Sequence, residues 1–161
     1  MIYLQGWPHV LRQQAAGTDT AVLLDHGPIF KLATLNEFGP ERLKSGAFEC
    51  WWQEVYALWA FTLDMVVWLD APETILIERI NQRDQRHAIK GKPGLDASRF
   101  LERYRMAYEQ VLAKLTAYRK PVFLHFNTHL VSIEQIAEEV LAACGRDLAG
   151  VELFEKMGIE G

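Results

Sequence analysis

The sequence predicts an α/β domain: a doubly wound, mostly parallel sheet flanked by helices. Two observations carry this expectation. Three short apolar runs, Ala21–Asp25, Met65–Asp70 and Pro121–Phe126, are rich in Val, Leu and Phe and lack polar alternation, as strands covered on both faces do. Helical patterns fill the intervals between them, which implies βαβ crossovers of the right-handed kind. Ligands of such sheets sit beyond the carboxyl ends of the strands, and Asp25, Asp70 and Asn127-Thr128 follow those ends here.

Taken in order, the elements read as follows. The start, MIYLQGWPHVLRQQ, is a partial leading helix within residues 1–20. After the first strand, Asp25 leads into His26-Gly27-Pro28, a sharp turn. Glu49–Leu63 is an aromatic helix with Trp51, Trp52, Tyr56 and Trp59, apolar on more than one side. Glu73–Arg83 follows Pro72, which suits a first helical turn. Ser98–Tyr118 places Phe100, Leu101, Tyr104, Tyr108, Val111, Leu112 and Leu115 at three- and four-residue steps. Ser132–Cys144 opens on a capping box, Ser132-x-x-Gln135, and stops at Gly145. Residues 146–161 read as a tail.

The 161 residues, half of them hydrophobic, suit a single domain over 1–161, without repeats or a linker. A net charge of −4 argues against a nucleic-acid binder. The start lacks a basic region followed by an apolar one, so it is not read as a signal peptide. The most apolar span is broken by Asp64 and too short for a membrane. Cys50 and Cys144 form no CxxC, which fits reduced thiols in a cytoplasmic protein.

Four groups could carry chemistry. Asp25, at a strand tip, suits Mg²⁺ binding or proton acceptance from a hydroxyl, and equally a turn cap. Eight of the seventeen Lys and Arg fall between Arg79 and Arg105. On a helix, Arg79, Arg83 and Arg86 share a face, and arginine forks grip phosphate oxygens. The same charges could pair with Glu78, Asp84 and Glu102, and KGKPG beyond them reads as a mobile loop over a lid-like region, 79–99. Asn127 and Thr128 suit contact with a base or ribose, or with loop backbone. One ring of the aromatic helix could stack on a flat ligand, although core packing explains most of them. Serine nucleophiles and zinc find no motif: there is no G-x-S-x-G and no H-E-x-x-H.

In combination, VLLDHGP, DMVVWLDAPETILIERINQR, RDQRHAIKGK with FLERYRMAYEQVL, and KPVFLHFNTHLVSIEQIAEEVLAA resemble the later two-thirds of a P-loop kinase of the thymidylate kinase and deoxynucleoside kinase group. The match covers roughly residues 20 to 145. It implies phosphoryl transfer from ATP with Mg²⁺ to a small-molecule acceptor. Asp25 would be the metal-linked or base-like acid, Arg83 and Arg86 the lid arginines, and Asn127 and Thr128 the lining of the donor base, with Arg79 beside them. Two departures matter. His26 stands where the group has an arginine, and G-x-x-x-x-G-K-[ST] is absent; Gly145 and Gly150 have the spacing, but Val151 and Glu152 follow. Either the chain is a fragment whose leading portion is missing, or it is a degenerate relative that dimerises through an exposed sheet edge as a non-catalytic module. On both readings the chain as given binds nucleotide weakly. A phosphate-handling hydrolase on a similar fold is a third reading.

Overall fold

The computed structural model describes residues 2–15, 21–25 and 27–145. In chain order they form α1 (Ile2–Ala15), α2 (Pro28–Phe38), two 3-10 turns (Glu41–Lys44 and Gly46–Phe48), α3 (Glu49–Ala60), β1 (Met65–Asp70), α4 (Glu73–Gln82), α5 (Gly94–Thr116), β2 (Val122–Asn127) and α6 (Ile133–Ala143). The class is α/β. Among the described residues the sheet has two strands, parallel and in register from Met65–Val122 to Asp70–Asn127. His26, residues 16–20 and the tail 146–161 lie outside the described residues.

β1 has the expected bounds, and β2 begins one residue late. Pro121 has no N–H for the ladder, so Val122 makes the first bond, its N–H donating to the Asp64 carbonyl at 2.9 Å. The strand expected at Ala21–Asp25 is a correction. Residues 21–24 are irregular and Asp25 lies on a turn. Leu23 is 87 % exposed. Apolar residues make a strand only where a second backbone edge takes up their N–H and C=O groups. Among the described residues, β1 and β2 pair with each other, and this segment pairs with neither.

The core is built from helices. Leu4 and Leu11 of α1, Leu32 and Ala33 of α2, Val55, Tyr56, Trp59 and Ala60 of α3, and Ala107, Val111 and Leu115 of α5 form one buried cluster, to which neither strand contributes. Ala107, Val111 and Leu115 recur at every fourth residue, the spacing of one helix face. The sheet is attached at the side, with Trp68 of β1 reaching Tyr108 of α5 at 6.2 Å between ring centres. The second helix, α2, was not apparent from the sequence. Pro28, fixed at a helical φ in its first turn, is the signal that marks it.

α1 carries a proline in its interior, Pro8, which is fully buried. Proline has no N–H to give to the carbonyl four residues earlier, that of Leu4. The indole N–H of Trp59, itself fully buried, donates to the Leu4 carbonyl oxygen at 2.9 Å instead. One tryptophan thus fills the core and supplies the bond that the proline withholds. At the other end of the chain, α6 begins as expected. Ser132 Oγ accepts from the Gln135 N–H, and Gln135 Oε1 accepts from the Ser132 N–H, both at 3.2 Å. The helix has no buried residue, and Ile133 is 80 % exposed.

Trp59→Phe should cost more than its lost volume, because the Leu4 carbonyl is left unpaired, about 1–3 kcal/mol by itself. Pro8→Ala restores a backbone donor, so it should recover part of that loss in the Trp59→Phe background and not in the parent. A urea double-mutant cycle reads the coupling; additive effects would exclude it.

Candidate functional site

The carboxyl ends of β1 and β2 meet in a polar cluster. The last ladder pair is Asp70 with Asn127, and the chain turns sharply after each. The Asp70 carbonyl accepts from the Thr128 N–H at 2.7 Å and from its hydroxyl at 3.0 Å. The Asp70 carboxylate is held from two sides: Oδ1 accepts from the Ala71 N–H at 2.9 Å and from Arg105 Nη2 at 3.0 Å. His125 Nε2 lies 3.9 Å from Oδ2, and its ring packs on Trp68 at 5.3 Å.

Arg79 closes the cluster from α4. Nη1 donates to Thr128 Oγ1 at 2.7 Å and Nη2 to the Thr128 carbonyl at 3.0 Å. Both arms of one guanidinium therefore clamp one residue, a geometry that lysine cannot reproduce. Asn127 turns inward on its own loop: Oδ1 accepts from the His129 N–H at 3.0 Å, and its carbonyl accepts from Leu130 and Val131. Arg79, Asn127 and Thr128, three of the residues picked out from the sequence, are thus brought together. Sequence reading counted Arg105 only within the basic stretch, and gave neither it nor His125 a role at the strand ends. The acid ending the β1 run is the signal for Arg105, since a half-buried carboxylate requires a cation.

Arg83 and Arg86 lie elsewhere. α4 ends at Gln82 and Arg83 has extended backbone, so the expectation that Arg79, Arg83 and Arg86 share a helix face is corrected. The two arginines line a hollow of about 30 Å³ with Ile80, Gln85 and His87. That space suits roughly one water molecule. Burial, then the charge of Arg83, holds His87 below the usual imidazole range. His87 Nδ1 accordingly serves as an acceptor, taking the Ile89 N–H at 3.3 Å. The loop after it is tied down. Ile89 is buried, Asn81 Oδ1 accepts from the Gly91 N–H at 3.0 Å, and Gly91 adopts φ +73, which disfavours any side chain. Lys90 Nζ donates to the Arg83 carbonyl.

The basic stretch does not pair as its neighbours in sequence suggest. Arg103 reaches back to Glu37 of α2, its Nε donating at 2.8 Å, and lies over the Phe38 ring at 5.2 Å. Arg105 takes Asp70, and Glu78 accepts from Gln82.

Asp25 is exposed on its turn and does not line the hollow of Arg83 and Arg86. Among the described residues no three His, Cys, Asp or Glu side chains gather as a metal-binding group. A lone carboxylate holds Mg²⁺ only where substrate phosphates and water complete the shell. No described helix is long and apolar enough to cross a membrane.

No protein-family model matches the chain, and neither does any curated protein or solved structure, so the chemistry of this edge rests on its own residues.

Arg79→Lys should release the 128–131 turn without unfolding the chain, since one ammonium cannot span both Thr128 oxygens. Hydrogen exchange at Leu130 and Val131 should accelerate about tenfold, as expected for losing about 1.4 kcal/mol of local stability. Unaltered protection there would show that the turn holds itself.

Proposed function

We propose that this chain carries a nucleotide- or nucleoside-kinase-like domain of the doubly wound P-loop kind, which serves Mg-ATP-dependent phosphoryl transfer to a small acceptor. The observation supporting the reading most directly is the parallel β1–β2 pair, whose crossover contains the basic segment. Parallel pairing puts Asp70 and Asn127 at one edge of the sheet, and it starts α4 and α6 from that same edge. Arg79 and Thr128 are joined there.

On this reading Arg83 and Arg86 neutralise charge that grows on the transferring phosphoryl group. Asn127 and Thr128 lie toward the donor base, with Arg79 beside them. Asp25 joins Mg²⁺ or accepts the proton of the acceptor hydroxyl. The magnesium ion would screen the phosphate charge and orient the transferred group. With no phosphate-cradling glycine loop in the sequence, affinity for nucleotide is weak and rests on the arginines.

Calorimetric titration of the chain with Mg-ATP tests this. We expect saturable binding in the millimolar range, weakened about tenfold in Arg83→Ala/Arg86→Ala at unchanged melting temperature. No saturation up to about 10 mM, or equal affinity in the double variant, would remove the reading.

A second reading, a non-catalytic module that self-associates through the sheet edge, is favoured by a separate observation. Among the described residues β1 pairs on one side alone, and Leu69 on it is 56 % exposed. Unpaired edges beside apolar surface promote association. Sedimentation equilibrium should then report a two-chain mass that Leu69→Lys returns to one chain; a monomer at all concentrations would exclude it.

A further inference from the structure

We propose that an open cleft between α3 and the end of α5 is a binding site for a small aromatic carboxylate. The cleft is distinct from the polar cluster at the strand ends, and the proposal does not depend on the kinase-like reading. It lies between the 3-10 turns, the first half of α3 and the last turn of α5, and measures about 540 Å³. Pockets for small ligands span roughly 300–1,000 Å³. Lys114 in its wall comes nine residues after Arg105, roughly 13 Å along the helix at 1.5 Å per residue.

Three rings, those of Trp52, Tyr56 and Tyr118, stand in the wall. Trp52 and Tyr56 are stacked, 5.6 Å between centres and 22° between planes. The Trp52 indole N–H is already given to the Leu43 carbonyl at 2.6 Å, which fixes the ring. A planar apolar body fits such a wall better than an aliphatic one.

The polar groups choose an anion. Lys114 Nζ stands over the Tyr56 ring, 5.2 Å from its centre, and no described carboxylate lies within ion-pair distance of it. Lys44, also in the wall, is balanced by Glu41 at 2.9 Å. Glu49 is the one acid in the wall, and it pushes a bound anion toward Lys114.

An independent observation comes from Tyr56. The residue is 3 % exposed and lines the cleft, yet its hydroxyl has no hydrogen-bond partner. Buried hydroxyls are rarely left so. Burial raises the phenol pKa to about 12, so it keeps its proton and acts as a donor at neutral pH. The hydroxyl is covered in this structure, so a carboxylate that meets Lys114 and displaces the side chains over the hydroxyl would satisfy both.

The test uses the full chain and the probe 2-naphthoate, followed by calorimetry and by melting temperature. Expected is saturable binding, weakened about tenfold in Lys114→Met, which keeps the apolar stem, and about fivefold in Tyr56→Phe. The neutral 2-naphthamide should bind about tenfold more weakly than the acid. Tyr56→Phe loses a hydroxyl without a partner, so the free variant should melt no lower than the parent, and its fold is not in question. Absence of saturation at millimolar probe, equal binding of the amide, or affinity unchanged in both variants would each overturn the proposal. Mg-ATP binding should be the same in all these proteins, which keeps this result separate from that of the kinase-like reading.

Discussion

The arrangement depends on one backbone pairing, the parallel ladder between Met65–Asp70 and Val122–Asn127. A parallel pair cannot be closed by a tight turn, so the chain must leave the end of β1 and return to the start of β2. It does so through α4, the basic loop and α5. The pairing therefore decides where charge goes. Arg79 on the outgoing helix and Arg105 on the returning one both come to the strand ends, where Thr128 and Asp70 receive them. At the opposite end of the ladder, Arg119 pairs with Asp64 at 3.1 Å, beside the bond that starts the strand.

The weight of the fold lies elsewhere. In doubly wound proteins the sheet is the centre, covered on both faces. Here the buried cluster belongs to α1, α2, α3 and α5, and the sheet leans on it through Trp68. This explains why the strands look hydrophobic in sequence and yet remain half-exposed. It also makes the Trp59 bond to Leu4 important beyond its size, because it ties the first helix to the third across the core.

The legible parts of the sequence were those decided locally. The capping box at Ser132, the strand at Met65 and the aromatic helix all follow from neighbours within a few residues. The illegible parts depended on distant partners. The run Ala21–Asp25 has strand composition, but composition does not supply an edge. Helix α2 is apolar on several sides, so its periodicity is faint, and Pro28 alone announces it. For the site, Asn127 and Thr128 were found because they follow a predicted strand end, and Arg79 because it opens the basic stretch. Arg105 was hidden because nothing in its own helix indicates that its partner is an acid 35 positions earlier. The cleft at Tyr56 was equally invisible, since its walls come from segments that meet only in the folded chain.

How the basic residues are used decides which of them can attract an anion. A cation already bonded to a carboxylate adds little to the field outside the molecule, whereas an unpaired one contributes fully within a Debye length. Arg103 and Arg105 are balanced by Glu37 and Asp70, whereas Arg79 bonds the uncharged Thr128, which fixes its position without balancing its charge. Arg83 and Arg86 make no ion pair with a described residue, and they stand on the loop just past the point where α4 stops. Had the helix run one turn further, the two would have been carried onto its surface, as their spacing suggests. Ending at Gln82 instead leaves both beside one small hollow. An acidic chain thereby keeps two guanidinium groups together just past the end of α4, and the termination of that helix places them there.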